Sequence, residues 1–337
     1  MTIPSDGMAP VKIPANLPEL VKTAFHRART SGDVHFFATQ VTLVNVNSVP
    51  FQLRFSPALA SKPRAPQPPA PSTAHPAKDE PKKEKKPFFD PFDNPAPAML
   101  VAPLAPSHNL VLNKFAIVPE HFILATQAFK EQTHLLERDD LEVAWGCIQA
   151  YHHYNNRLNG EEGFEAIAGE GTDGALGKET GELYVFFNSG PASGSSQPHR
   201  HIQMLPVNRM REGLDAHEDA AWGVLADSLV RGDVRARVPF QTFAERIGEG
   251  SDLLAVYLGL YRRACEAVLG ARWRQMSAGK RGGEEGGGTL ALNGTVLAGT
   301  ALVKTQEEWD ALRAEPEQLL ELLGRIGVPN VQAPGPA

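Results

Sequence analysis

The sequence has few cysteines, no long apolar run and no excess of positive charge, and each shortage excludes a class of protein. Its 337 residues include two cysteines, Cys147 and Cys265, which form no Cys-x-x-Cys pair, so we expect buried free thiols rather than a disulfide framework. No apolar stretch is long enough to cross a membrane, and residues 1–14 lack the pattern of a signal peptide. The net charge of -6 offers no basic surface to a nucleic acid. We therefore expect a cytosolic protein, with the nucleus left open, that binds neither membranes nor nucleic acids.

Proline and glycine are plentiful, with 28 and 30 residues, and they mark two stretches that have little to bury. Residues 63–87 are mostly Pro, Ala, Lys and Glu and contain no aromatic residue, while residues 159–182 are rich in Gly and Glu without any period. Such compositions cannot bury enough apolar surface to offset the entropy of ordering the chain. The sequence therefore predicts two disordered insertions in an otherwise folded protein.

Helical and strand patterns are intermixed along the rest of the chain. Apolar residues at spacings of three and four predict helices, and runs rich in Val, Thr, Leu and Phe predict strands. The predicted helices are 17–30, 139–154, 220–229, 253–268, 306–313 and 317–326. The predicted strands are 39–46, 51–55, 108–118, 121–126, 184–187, 199–203, 238–247 and a segment within 289–303. Because strands and helices do not alternate regularly, we predict an α+β fold.

The stretch Tyr184–Pro206 contains the residues that are best suited to chemistry. An apolar run leads into a loop of Gly, Ser, Pro and Asn, and the loop reaches His199-Arg200-His201-Ile202-Gln203. In an extended strand, His199, His201 and Gln203 point to the same face. Gln203 is a poor zinc ligand and no further ligand lies at the right spacing, so we predict no metal site here.

Two imidazoles beside a glycine-rich loop suit phosphate chemistry instead. A neutral imidazole is a good nucleophile towards phosphorus when a carbonyl holds its other ring nitrogen. Backbone amides and hydroxyls of the loop can bind phosphate oxygens, as in other anion-binding nests. The loop residues concerned are Gly190, Ser193, Gly194, Ser195 and Ser196. Lys114, near the middle of the predicted strand 108–118, must either reach solvent or meet an anion.

These residues resemble the diadenosine tetraphosphate phosphorylase family, also called the ATP adenylyltransferases, within the histidine-triad superfamily. The resemblance is carried by Phe186–Asn188 and Ser193–Gln203, by Leu110–Phe115 with His121-Phe122, by Asp90–Phe92, and more weakly by Ser56–Pro63 and Asn293–Lys304. It implies a histidine-triad-like antiparallel or mixed sheet with flanking helices.

The resemblance also implies a reaction, the phosphorolysis of diadenosine tetraphosphate to ADP and ATP through an AMP–histidine intermediate. His201 would be the nucleophile, while His199 and Gln203 would orient it and contact the transferred phosphoryl group. Gln203 stands where the superfamily's hydrolases carry a third histidine, which favours transfer over hydrolysis. The residues implied to bind nucleotide and phosphate are Lys62, Asn113, Lys114, Asn188, Gly194, Ser195, Ser196, Gln197, Asn293, Gly294, Thr295, Thr300 and Lys304.

By the same resemblance the chain has four parts. Residues 1–62 supply the N-terminal helix and strand pair of the catalytic domain, 63–87 are an insertion, 88–210 form the catalytic core with its flexible insertion 159–182, and 211–330 complete the nucleotide pocket. A divalent cation such as Mg²⁺ would accompany the phosphates without being held by the protein. We expect the protein to be a monomer whose ligands are a nucleotide and phosphate.

The sequence leaves two alternative functions open. A hexose-1-phosphate nucleotidyltransferase would share the His-x-His-x-Gln chemistry, although its branch often adds cysteines and histidines that hold a metal. A nucleotide-binding protein without activity is the other alternative, because the interval before Asn293 contains Arg272–Met276 and a Gly-rich run where the family has further pocket strands.

Overall fold

A computed structural model describes residues 11–58, 89–161, 182–232, 234–235, 237–277 and 293–330. Most of the two predicted insertions lies outside these residues, and so does Lys62. The helices of the described part are α1 (Leu17–Ser31), α2 (Arg138–Glu161), α3 (Val207–Met210), α4 (Ala216–Ala221), α5 (Leu225–Arg231), α6 (Leu253–Ser277), α7 (Gln306–Ala314) and α8 (Glu317–Gly324). None of these helices is long and apolar enough to cross a membrane.

The strands form three sheets. In chain order the described strands are β1 (His35–Phe36), β2 (Gln40–Val46), β3 (Val49–Phe55), β4 (Leu100–Leu104), β5 (His108–Leu112), β6 (Phe115–Ala116), β7 (Phe122–Thr126), β8 (Leu183–Phe186), β9 (His201–Pro206) and β10 (Thr300–Val303). The largest sheet is antiparallel with the order β4-β5-β7-β9-β8, the second has the order β10-β3-β2, and β1 pairs with β6. The α+β prediction is confirmed.

The five-stranded sheet has one face covered by helices. Leu110, Leu124 and Ile202 point to this face and pack in the main core with residues of α1 and α2. Because side chains alternate along a strand, the neighbouring residues Ile123 and Ala125 point to the opposite face. That second face carries the catalytic candidates.

The C-terminal part of the chain shares a core with the first strand pair. Strand β10 pairs with β3 in parallel, and their apolar residues pack with those of α7 and α8. The buried side chains of Gln52 and Arg54 on β3 both donate to the carbonyl of Met210, which ends α3 directly after β9. The segment that contains Asn293–Lys304 is thereby attached to the sheet that carries the histidines.

Three predicted elements are wrong. The predicted strand 108–118 breaks after Leu112, because the side chain of Asn113 accepts a hydrogen bond from the amide of Phe115 and forms a turn. The predicted helix 220–229 is two helices, α4 and α5, separated at Trp222, whose backbone is extended and whose side chain is buried. The predicted strand 238–247 forms only a bridge between Phe240 and Pro329.

Candidate active site

His201 is the first residue of β9, and its side chain lies on the sheet face that the helices leave free. His201 is opposite Ala125 and Gln203 is opposite Ile123 in the antiparallel pairing with β7. The ring of Phe92 packs against His201 at 5.1 Å and against His199 at 5.7 Å between ring centroids. Both histidines are therefore on one side of the chain, as the alternation predicts.

The hydrogen bonds of His201 determine which ring nitrogen is reactive. Its Nδ1 lies 2.7 Å from the carbonyl oxygen of His199. Because a carbonyl only accepts, Nδ1 must carry the hydrogen, and in the neutral ring the lone pair is then on Nε2. No described residue forms a hydrogen bond with Nε2. The ring thus presents one unprotonated nitrogen, which is the geometry that a nucleophile needs.

Burial keeps this ring neutral. Only 3% of His201 is exposed, and removal from water lowers the pKa of its imidazole from 6.5 to about 4, against the opposing effect of the His199 carbonyl. At neutral pH the nucleophilic form is consequently the dominant one.

The lowered pKa gives a testable pH profile. If His201 is the predicted nucleophile, the rate at which its ring accepts AMP in the absence of phosphate is expected to stay constant from about pH 8 to about pH 5, because the ring protonates only as the pH approaches its lowered pKa. A single-turnover assay measures this rate. Loss of half the rate near pH 6.5 would contradict the expectation. Circular dichroism is the control for unfolding. Between pH 6.5 and about 4, His201 binds a proton in the unfolded state but not in the folded state, so the free energy of unfolding decreases as the pH falls through that window.

The ring of His199 is fully buried, and protein groups surround both of its nitrogens. Its Nε2 donates to the carbonyl of Thr126 at 2.8 Å, and its Nδ1 lies 2.7 Å from Oδ2 of Asp90. Neither nitrogen is left to contact a phosphoryl group, so that part of the expectation for His199 needs correction. His199 orients His201 through its backbone carbonyl instead.

Gln203 is connected to the end of the neighbouring strand through His121. Its Oε1 lies 2.6 Å from Nε2 of His121, and Nδ2 of Asn113 lies 3.3 Å from the same nitrogen. When His121 donates to Oε1, the amide nitrogen of Gln203 remains available as a hydrogen-bond donor. The structure therefore brings Gln203 and Asn113 together around His121, while Lys114 beside them is exposed to solvent.

The glycine- and serine-rich loop forms many of its hydrogen bonds internally. The amides of Ser193, Gly194 and Ser195 donate to carbonyls of the loop itself, and the Ser195 hydroxyl donates to the carbonyl of Gln197. These groups are not free to bind phosphate in the described conformation, contrary to expectation. Ser196 is exposed next to them and is the better donor within the loop.

Asn188 joins this loop to the C-terminal segment. It is buried, and its Oδ1 accepts a hydrogen bond of 2.9 Å from the amide of Gly294. A Cβ atom at Gly294 would lie 2.5 Å from the ring of Phe186, so the approach requires glycine. Asn293 caps the following turn by accepting from the amide and the hydroxyl of Thr295.

The remaining predicted residues lie in the second sheet. Thr300 begins β10 and is buried, with its hydroxyl 3.4 Å from Oε1 of Gln52. Lys304 follows β10 directly, and its amide donates to Glu308 at 3.4 Å. Their contacts are with the scaffold of this sheet, whereas Gly294 contacts Asn188 in the loop that leads to His201.

Sequence reasoning missed several residues that support the histidines. Asp90, Thr126 and His121 lie far from His201 in sequence but bind His199 or Gln203 directly. Asp90 and His121 were part of the family resemblance without being assigned a role. Among the described residues, no three His, Cys, Asp or Glu side chains come together so as to hold a metal ion.

The fold and the site define the class of protein in general terms: an α+β fold whose antiparallel sheet presents one neutral, oriented histidine. The family model described as the Ap4A phosphorylase N-terminal domain matches residues 9–161 and 176–216, and that of the ATP adenylyltransferase C-terminal domain matches residues 236–329. The chain therefore belongs to the Ap4A phosphorylase (ATP adenylyltransferase) family.

Individual proteins agree with this assignment along the whole chain. The chain is 26% identical to Protein APA1 of Saccharomyces cerevisiae, covering 97% of this chain and 98% of the relative. It is also 26% identical to diadenosine 5',5'''-P1,P4-tetraphosphate phosphorylase 2 of the same yeast, covering 96% and 98%. The fold is similar to the crystal structure of yeast Ap4A phosphorylase Apa2, with a TM-score of 0.63 at 23% identity, over 95% of this chain and 100% of that chain. Its complex with Ap4A is similar to the same extent, with a TM-score of 0.61 at 22% identity, 95% of this chain and 100% of that chain.

Proposed function

We propose that this protein cleaves diadenosine tetraphosphate with inorganic phosphate, giving ADP and ATP, and that His201 is the nucleophile. The observation that carries the proposal is the contact between Nδ1 of His201 and the carbonyl of His199. It leaves Nε2 unprotonated on a ring that burial keeps neutral. Membership of the Ap4A phosphorylase family supplies the substrate.

The reaction proceeds in two displacements. Nε2 of His201 attacks the phosphorus of one AMP moiety, the Nε2–P bond forms, and the P–O bond to the remainder breaks so that ATP leaves with the electron pair. An oxygen of inorganic phosphate then attacks the same phosphorus, the Nε2–P bond breaks, and ADP is released. Throughout, the carbonyl of His199 accepts from Nδ1 and stabilises the positive charge that the ring acquires in the intermediate.

The surrounding residues bind the phosphates. The amide nitrogen of Gln203 donates to a phosphoryl oxygen while His121 holds its Oε1. Asn188 holds Gly294, and with it Asn293 and Thr295, against the loop that carries Ser196 and Gln197. The ammonium group of the exposed Lys114, beside Asn113, attracts the negatively charged polyphosphate. Gly194 and Ser195 could bind phosphate through their amides only after the loop rearranges, and roles for Thr300, Lys304 and Lys62 stay predictions from the resemblance.

Dependence on phosphate tests the proposed reaction. The protein is incubated with diadenosine tetraphosphate with and without phosphate, and the nucleotides are separated by chromatography. ADP together with ATP, formed only in the presence of phosphate, is the expected result. AMP together with ATP in the absence of phosphate would show a hydrolase and would contradict the proposal.

Two further arms of the assay separate the alternatives. Turnover of a hexose 1-phosphate with a nucleotide sugar would identify the related transferase. Tight binding of the dinucleotide in calorimetry without turnover would identify a binding protein.

An arm with a chelator tests the predicted divalent cation, which would arrive with the polyphosphate. The cytosolic location and the monomeric state stay predictions.

A further inference from the structure

The side-chain amide of Gln132 is bonded to the backbone on both sides of the nucleophile. Gln132 lies in the linker between β7 and α2, and 1% of it is exposed. Its Oε1 accepts from the amide of His201 at 2.7 Å. Its Nε2 donates to the carbonyl of His201 at 3.1 Å and to the carbonyl of Asn188 at 2.8 Å. Both hydrogens and the oxygen of this amide therefore form hydrogen bonds with the backbone of His201 or Asn188.

A side-chain amide is needed here because the neighbouring strand leaves the sheet. β8 pairs with β9 as far as Phe186, which is opposite Gln203. Two residues further, the same register would set Asn188 opposite His201, but the chain turns away into the glycine-rich loop. Unpaired buried backbone groups are costly, and the amide of Gln132 replaces the missing peptide group.

The linker that carries Gln132 is itself fixed to the catalytic segment. The amide of Gln132 donates to the carbonyl of Pro198 at 2.7 Å, and the amide of Arg200 donates to the carbonyl of Lys130 at 2.7 Å. The side chain of Gln132 therefore extends from a rigid base. A displacement of His201 relative to Asn188 would have to break bonds at both ends of the amide.

We infer that Gln132 is a positioning residue for the transfer step: it fixes the backbone from which the His201 ring extends and sets its distance from Asn188. The inference rests on the proposed function. A misplacement of reacting groups by about 1 Å costs on the order of 100-fold in rate. Gln132 does not contact the reacting atoms itself, so its loss should affect the rate of transfer more than the binding of nucleotide.

Gln132→Met tests the inference, with Gln127→Met as the matched control. Methionine keeps the volume and removes the polar bonds. Gln127 lies on the same linker and donates to His108 and Asn109, not to a catalytic histidine. We expect single-turnover AMP transfer to be about 100-fold slower in Gln132→Met, while the Kd for AMP changes less than about threefold. The control should keep the rate of the unmodified protein. Equal rates in the two variants, or a proportional loss of AMP binding, would overturn the inference.

A spectroscopic measurement separates this inference from the proposed function. In ¹⁵N-histidine NMR, His201 of the unmodified protein should show one tautomer with the hydrogen on Nδ1, and Gln132→Met should show a mixture. An unchanged tautomer in the variant would overturn the inference. Failure of the unmodified protein to cleave diadenosine tetraphosphate would contradict only the proposed function. If Gln132→Met does not fold, Gln132→Glu replaces it, because its carboxylate accepts from the His201 amide but cannot donate to the two carbonyls.

Discussion

Replacing His201 by alanine is expected to abolish the AMP adduct and to lower kcat by at least ~10⁴-fold, because the reaction loses its covalent route. The other histidine of the motif cannot substitute for Nε2, since the two ring nitrogens of His199 are engaged by Asp90 and Thr126. Mass spectrometry of protein incubated with diadenosine tetraphosphate without phosphate measures the adduct, and product analysis with phosphate measures kcat.

The control for this experiment is His153→Ala, which removes an exposed histidine of α2. It should leave both the adduct and kcat unchanged. An undiminished adduct in His201→Ala would place the covalent bond on another residue and refute the assignment of the nucleophile. The alanine variant should still bind AMP, because the ring forms the covalent bond while other residues bind the nucleotide, and calorimetry checks this point.

The placement of His201 could be predicted from sequence because it depends on local geometry. Side chains alternate along a strand, so His201 and Gln203 had to share a face once the strand was recognised. The partner of Nδ1 was also predictable as a carbonyl in general terms. What sequence could not identify was which groups complete the site, because Asp90, His121 and Gln132 are brought to the histidines only by the pairing of strands and linkers distant in sequence.

Two expectations that the structure changes have the same physical origin, which is hydrogen bonding between side chains and backbone groups close in sequence. Asn113 looked like the middle of a strand, but its side chain bonds the amide of Phe115 and ends the strand, which releases Lys114 to solvent. The amides of Gly194 and Ser195 looked like a phosphate nest, but carbonyls within the loop accept their hydrogens. The sequence shows which hydrogen-bond donors are present, whereas only the folded structure shows which of them are still available to a ligand.

Asp140→Ala is expected to lower the free energy of unfolding by about 3–5 kcal/mol, because it leaves a buried charge with one partner fewer. Asp140 is fully buried at the start of α2, and its carboxylate binds Nη1 of Arg200 at 2.8 Å and Nε2 of His108 at 2.9 Å. Arg200 is itself 2% exposed and lies between His199 and His201 in sequence. The variant would leave its guanidinium with Glu137 as the remaining acidic partner. Urea unfolding followed by circular dichroism measures the change.

The pH dependence of this network has a definite sign. Burial acts to raise the pKa of Asp140, but the hydrogen bond from His108, the amide of Glu137 and the charge of Arg200 outweigh it and hold the pKa below 3.8. A carboxyl group with a lowered pKa stabilises the fold above its usual pKa and loses that contribution as the pH falls through the folded-state value. The difference in stability between the unmodified protein and Asp140→Ala should therefore be largest at neutral pH and should shrink below about pH 4.

A matched carboxylate on the same helix distinguishes burial from charge. Glu142 pairs with Arg138 at 3.7 Å, and both side chains are about half exposed, so Glu142→Ala should cost less than about 0.5 kcal/mol. The double variant Asp140→Ala with Arg200→Met should lose less free energy of unfolding than the sum of the two single losses. The second change removes the buried charge that the first change leaves without its partner. Equal losses in Asp140→Ala and Glu142→Ala, or strict additivity in the double variant, would mean that the buried network stabilises the fold no more than an exposed ion pair does. The position of His199 and His201 would then depend on the pairing of β9 with its neighbouring strands, on Asp90 and Thr126, and on Gln132.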